Sequence, residues 1–177
     1  MKMKFIAILI LGLTGIMGIF AEKSLKEKAY EYYSFISPEF EKYEAKLEPE
    51  RFSYFQIKTM TDEGMQYLVV FPNLETLTLD DSKITNEGLR LIFELPKLNS
   101  LSLVRTKITN KGIEYISKSK TITSLSLDEI STIDDGCVPH LLKMKQLTTL
   151  ELSGTNLSKQ GIQKLRKGLP KAGVTTE

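Results

Sequence analysis

The sequence predicts an α/β architecture: stacked strand–turn–helix units, with parallel strands on one side, helices on the other and a helical N-terminal cap. Three observations predict it. Leu74, Leu98, Ile122 and Leu147 recur at steps of 24, 24 and 25 residues; Leu77, Leu101, Leu125 and Leu150 keep the same steps, as do Leu79, Leu103, Leu127 and Leu152. A glycine follows the same period, at Gly64, Gly88, Gly112, Gly136 and Gly161. Within each unit the apolar spacing changes from two to three, as it does where a strand gives way to a helix.

In chain order, residues 1–21 read as targeting. Met1-Lys2-Met3-Lys4 precedes an apolar stretch from Phe5 to Phe20 with no charge before Glu22, the order of a secretory signal peptide. Ala21 suits position −1 of a cleavage site; Ile19 at −3 does not. The stretch exceeds a usual h-region and approaches the roughly 20 apolar residues of a spanning helix. Two outcomes therefore stand: a cleaved signal on a secreted or periplasmic protein, or an uncleaved inner-membrane anchor. Without Lys2 and Lys4 the formal charge of +2 vanishes, leaving 22 basic and 22 acidic residues. A neutral body gives no ground for a nucleic-acid partner. Membrane contact is expected only through an uncleaved N-terminus.

Residues 22–59 do not repeat and are expected to form the helical cap. Ser24-Leu25-Lys26-Glu27 fits a capping box that opens a helix. Ser37-Pro38 opens another, with Phe40, Tyr43 and Leu47 on one face and Pro49 as its stop. Eleven of the fifteen Phe and Tyr lie between Tyr30 and Phe71, so aromatic bulk is available to cover the exposed core of the first unit, as the ends of repeat arrays require; the alternative use of such a cluster is an aromatic binding patch.

The array spans residues 60–177. Leu77 and Leu79 alternate with Thr76, Thr78 and Asp80, giving a strand. Thr85 and Thr109 are placed to cap the following helices, whose apolar pairs are Leu89/Ile92, Ile113/Ile116 and Ile162/Leu165. Thr61 to Met65 repeats the helix-start half of a unit, while its strand half, Ser53 to Ile57, matches poorly. Val174-Thr175-Thr176 suits a last short strand. The third unit is irregular: Leu127 to Ile133 is one residue longer than Leu79 to Ile84, and Ile133 to Gly136 is one shorter than Ile84 to Gly88. This bulges the loop Glu129–Thr132, which reads as a neutral insertion.

The pattern Leu74-Glu75-Thr76-Leu77-Thr78-Leu79-Asp80-Asp81-Ser82-Lys83-Ile84-Thr85, repeated from Leu98 to Thr109, resembles a leucine-rich repeat, in particular the variety of about 24 residues of bacterial secreted and ribonuclease-inhibitor-like proteins. The resemblance implies a short solenoid that binds partners on its concave strand face. The usual turn asparagine is absent. Ser82, Thr106 and Thr155 stand there, and a hydroxyl serves the same turn less strongly.

The function expected on this basis is non-catalytic binding of a protein. The alternative is a structural component anchored at the envelope. An enzyme is not expected. One Cys excludes an internal disulfide and a multi-Cys metal site. Cys137 and His140 are three residues apart, but the repeat assigns them to the core columns of Leu89 and Ile92, which argues against a nucleophilic pair. No cofactor motif and no compact set of metal ligands is present. The candidate contact residues are Thr78, Asp80, Asp81, Ser102, Val104, Arg105, Ser126, Asp128, Glu129 and Glu151, with Arg105 and the acidic strand ends foremost. Four strands about 4.8 Å apart give roughly 320 Å², below the about 800 Å² per partner of a standard interface, so strand-end loops or other surfaces must contribute. The run Lys159, Lys164, Arg166, Lys167 and Lys171 reads as a solvated helix face.

Overall fold

The computed structural model describes residues 23–36 and 52–176. The targeting stretch and the expected second cap helix lie outside them. Among the described residues no helix is long and apolar enough to cross a membrane.

Among the described residues, six parallel strands form one open sheet in sequential order. They are β1 (Tyr54–Gln56), β2 (Thr76–Thr78), β3 (Ser100–Ser102), β4 (Ser124–Ser126), β5 (Thr149–Glu151) and β6 (Gly173–Thr175). Their register pairs Phe55, Leu77, Leu101, Leu125, Leu150 and Val174 in one line. Every member of that line is buried. The flanking residues face the other way and stay at least partly exposed. The poorly matching stretch around Phe55 is thus a true strand, with Phe in the leucine place. Each strand has three residues rather than the expected five, because the chain turns soon after each one.

The helices lie on the convex side. They are α2 (Asp62–Met65), α3 (Asn110–Ile116), α4 (Val138–Leu141) and α5 (Lys159–Gly168), with 3-10 helices at Leu68–Val70, Gly88–Glu94 and Asp135–Cys137. Thr109 caps α3 as expected, its hydroxyl accepting the amide of Lys111. Thr85 accepts the amide of Glu87 at 3.3 Å, but the unit continues as a 3-10 helix, in which a spacing of three also places Leu89 and Ile92 on one face. Between the layers lies a continuous core in which Leu74, Leu79, Leu98, Leu103, Ile122, Leu127 and Leu147 are fully or almost fully buried. Each unit covers the next, so no unit could bury its apolar face alone.

The N-terminal end is closed by α1 (Leu25–Ile36). Its capping box is formed: the Glu27 amide donates to Ser24 Oγ, and the Ser24 amide to Glu27 Oε2. Tyr33 is fully buried, stacks on Phe55 at 5.7 Å and donates its hydroxyl to the Gly64 carbonyl. Phe71 meets Phe55 edge to face at 4.7 Å. Tyr33, Phe55 and Phe71 thus pack over the first unit, while Phe35 and Tyr54 stay exposed.

The irregular unit corrects one expectation. Glu129 keeps its place and Ile130 fills the turn position, so Ile133 arrives one residue late. The helix then starts as the 3-10 turn Asp135–Cys137, and α4 brings Leu141, not His140, under the Ile92, Ile116 and Leu165 column. Leu141 is fully buried, whereas His140 is half-buried on the surface. Pro139 lies in the first turn of α4, where its missing N–H costs nothing. Cys137 does occupy the Leu89 and Ile113 column and is buried.

Candidate functional site

The concave face is built by the outward residues of six strands. Thr76, Ser100, Ser124 and Thr149 form one row; Thr78, Ser102, Ser126 and Glu151 form a second. All are half-buried by their neighbours, so the face is smooth and hydroxyl-rich. The expected four-strand face did not count β1 at one edge or β6 at the other. β1 adds Tyr54, 54% exposed, whose hydroxyl donates to Gln56 Oε1 at 3.0 Å. β6 adds Thr175. Six strands of three residues cover roughly 290 Å² at the usual strand dimensions, so more strands do not remove the size constraint.

At the strand ends the chain bends sharply. Asp81, Arg105 and Glu129 have φ of 59°, 56° and 58°, and Gly154 has 67°. Left-handed backbone is unfavourable for residues with a Cβ, yet three of the four carry one. Two arrangements hold them. The amides of Asp81, Arg105 and Glu129 donate to the carbonyls of Val104, Asp128 and Ser153 in the next unit. The side chains stack as well. Arg105 places Nε and Nη2 on the two Asp81 oxygens at 2.6 and 3.0 Å, and Nη1 on Glu129 Oε1 at 3.0 Å. The guanidinium holds the Asp81 carboxyl below the usual carboxylate range, chiefly through its hydrogen bond, and these carboxylates raise Arg105 further.

Asp80 and Asp128 are also engaged within the fold. Asp80 Oδ1 accepts Ser102 Oγ at 2.6 Å and the Val104 amide at 3.0 Å. Asp128 Oδ1 accepts the Ser153 amide at 2.7 Å. Burial pushes the Asp128 carboxyl up, the Ser153 bond opposes this, and Glu151, Glu129 and Asp80 add to it. The candidate residues are therefore brought together, as two hydroxyl rows beside an acidic, internally bonded edge. Val104 lies between Asp80 and Asp128 in its column, half-buried. Among the described residues no group of three His, Cys, Asp or Glu is arranged to hold a metal ion.

The turn position beside these residues shows what replaces the missing asparagine. Thr106 and Thr155 donate their hydroxyls to the carbonyls of Leu103 and Leu152, each at 2.7 Å. Ser82 Oγ is buried without a hydrogen-bond partner, and Ile130 is apolar. Half of the column closes its own turn.

A second set of polar residues went unnoticed in the sequence, although it has the same period: Asp62, Asn86, Asn110 and Asp135. Each reaches into the next unit and binds both the amide and the side chain of its helix-start residue. Asp62 accepts the amide and hydroxyl of Thr85 at 2.7 and 2.6 Å. Asn86 accepts the Thr109 amide and donates to its hydroxyl. Asn110 does the same for Asp134, and Asp135 accepts from the amide and hydroxyl of Ser158. The periodic glycine follows from this. A Cβ at Gly88, Gly112 or Gly136 would stand 2.5, 2.8 or 2.5 Å from the Asp62, Asn86 or Asn110 side chain. At Gly64 the obstructing group is Tyr32 of α1, whose hydroxyl also pairs with Thr61 Oγ1 at 2.7 Å.

The Cys137 thiol is pushed up to about 12, first by burial and then by the negative charges of Asp134 and Asp135. A nucleophile needs its thiolate, so the buried thiol is chemically a small apolar side chain.

A stack of parallel strands and convex helices at a step of about 24 residues defines an α/β leucine-rich-repeat solenoid. Comparison with protein families agrees: residues 72–93 and 94–117 match the family described as Leucine Rich repeat. No curated protein sequence matches the chain. Among solved structures it is similar to a leucine-rich-repeat protein of Leptospira interrogans, at 26% identity over 68% of this chain and 29% of that one, with a TM-score of 0.48. It is similar also to an internalin of Listeria monocytogenes, at 21% identity over 67% of this chain and 31% of that one, TM-score 0.42. Internalin C2 of the same organism gives 20% identity, 70% of each chain and a TM-score of 0.42. The chain thus spans about three tenths of the length of the first two.

Proposed function

We propose that the chain is a non-catalytic binding module for a protein, exported to the cell envelope or beyond. The observation that carries this reading is the open concave sheet face. Its two rows are held in register by the buried leucine line, and their side chains contribute nothing to the core. Leucine-rich-repeat folds commonly serve protein interaction, and the burial of Cys137 argues against thiol chemistry at that position. The basic and then apolar order of residues 1–21 supports export, with retention as a membrane anchor as the alternative.

The contact residues follow from what is not already engaged. Arg105, Asp80 and Asp128 already have partners inside the fold, so their replacement would not isolate a contact to a partner. Thr78, Ser126 and Glu151 have no such role, and Tyr54 supplies the aromatic anchor that interface hot spots favour. The test is crosslinked capture with the full chain, compared with Tyr54→Ala/Ser126→Arg/Glu151→Lys. We expect the captured protein to disappear while circular dichroism and urea midpoint hold. Unchanged capture would remove the concave face from the reading.

A further inference from the structure

The lysine run near the C-terminus is one part of a larger surface. The convex segments of the last three units cover residues 110–120, 135–145 and 159–171. They carry ten basic residues and two acidic ones, Glu114 and Asp135. Glu114 is already paired with Lys111 at 2.7 Å. The corresponding segment of the first unit, residues 62–72, carries Asp62 and Glu63 and nothing basic. The convex charge therefore reverses along a solenoid whose array is otherwise balanced, and the acidic groups gather at the concave edge instead.

Lys118, Lys143, Lys164 and Lys167 are exposed and form no ion pair among the described residues. Asp134 and Asp135, at the start of the middle segment, accept from Asn110 and Ser158. At its N-terminal border the basic surface meets apolar side chains. Leu91 and Phe93 are 41% and 42% exposed, and Lys118 Nζ lies 5.9 Å from the Phe93 ring and 5.1 Å from the Tyr115 ring.

We propose that this convex face docks on an anionic lipid membrane. Three features select that occupant. Nine of the ten cations are lysine, a hydrated point charge suited to a diffuse anionic surface, whereas bidentate recognition of a defined carboxylate or phosphate favours arginine. The one arginine, Arg166, is engaged within the fold and donates to the Val174 carbonyl at 3.2 Å. The cations are spread over three neighbouring turns rather than gathered around one cavity, and lysines near an anionic leaflet add their attraction one by one. Leu91 and Phe93 at the border supply the shallow apolar contact that accompanies such adsorption. This docking is independent of the concave-face reading.

The test uses the full chain with Gln163→Cys on the convex face, labelled with an environment-sensitive fluorophore; buried Cys137 stays unlabelled. The apolar stretch at residues 5–20 would insert into any vesicle, so the dye must report the convex face itself. We expect a blue shift on vesicles of mixed phosphatidylglycerol and phosphatidylcholine, and none on phosphatidylcholine alone. The shift should fade as salt shortens the screening length from about 10 Å at 0.1 M to about 3 Å at 1 M. Lys143→Glu/Lys164→Glu/Lys167→Glu should weaken apparent binding by about tenfold or more. Lys143→Gln/Lys164→Gln serves if the reversed charges impair folding. The same dye at Thr78→Cys should not respond. The proposal is overturned by no shift on anionic vesicles, or by an equal shift in the lysine variants. It is also overturned if soluble polyglutamate produces the whole shift, which would assign the face to an acidic protein.

Discussion

Two polar ladders run along this solenoid with the same period. At the strand ends, Asp81, Arg105 and Glu129 stack as exposed charges on left-handed backbone. At the helix starts, Asp62, Asn86, Asn110 and Asp135 each bind the next unit's amide and side chain. The two differ in what they satisfy. The strand-end charges would be well hydrated without one another, and exposed pairs of that kind contribute little. The helix-start amides have no intrahelical acceptor of their own, so each side chain that reaches them supplies a bond the fold otherwise lacks. At three of the four positions the residue type follows the neighbour, whereas Asn86 donates to the Thr109 hydroxyl. Asn110 can donate to the Asp134 carboxylate, which an aspartate could not. Asp62 and Asp135 face hydroxyls and accept from them. The helix-start ladder should therefore couple the units, while the strand-end ladder trims their exit.

The largest expected effect tests that coupling where it touches glycine. Gly112→Ala would put a Cβ 2.8 Å from Asn86 Oδ1, 3.1 Å from Leu89 Cδ1 and 3.2 Å from Ile108 Cβ. Overpacking of this kind costs about 1–3 kcal/mol. Asn86→Ala alone leaves the Thr109 amide without its acceptor, at about 1–2 kcal/mol. In the double variant the nearest obstruction is gone, and the two costs should fall short of their sum by about 1 kcal/mol in urea unfolding. Strict additivity would mean that the glycine is there for some other reason.

Next in size is Gly154→Ala at the strand ends. Its φ of 67° disfavours any side chain, and the new Cβ would meet Glu129 Cα at 3.2 Å. A loss of about 1–2 kcal/mol is expected. The same urea midpoint measures it, and an unchanged midpoint would show that the backbone relaxes there.

Acid should act on both ladders, since Asp81 at the strand ends is held low as well. Asp134 is held below the usual carboxylate range by the Asn110 amide and then by the Gly136 amide; Asp135 is held down first by the Ser158 hydroxyl. A depressed folded value favours the ionised form, so this stability is present above the unfolded value, near about 4. It is lost as pH falls through the folded value. Asp128 has the opposite sign, since burial raises it and protonation favours the fold. The urea midpoint should drop below about pH 4, and Asp134→Asn, which preserves the acceptor oxygen, should reduce that drop. An equal drop in the variant would place the acid sensitivity elsewhere.

Much of this was readable in the sequence because burial imposes a period. The leucine and isoleucine columns, the α1 capping box, the Thr109 cap and the convex helices follow from spacing alone. β1 was harder, since Phe55 and Ile57 fill leucine places beside an aromatic cap and break the column by residue type. His140 was misplaced because a count from Gly136 cannot show that the helix starts with a 3-10 turn and takes in one more residue. Asp62, Asn86, Asn110 and Asp135 were periodic, but polar periodicity has no meaning until the neighbouring amide is seen. For the site, sequence marked the concave rows, yet it could not show that Arg105, Asp80 and Asp128 already have partners inside the fold.

The smallest effect belongs to Arg105, and it separates the two ladders most cleanly. Arg105→Gln removes the contacts to Asp81 and Glu129 but keeps the same backbone amide on the Asp128 carbonyl. All three side chains are well exposed, with Arg105 at 46%, so water replaces what is lost. The variant should unfold at a slightly lower urea concentration in dilute buffer, and the difference should close in about 1 M salt, where the screening length is near 3 Å. Asn86→Ala should keep its full deficit in the same salt, because its bonds to Thr109 join uncharged groups. If salt erased both deficits alike, the distinction between charge trimming and amide satisfaction would fail. If it erased only the first, the units of this solenoid are joined at their helix starts.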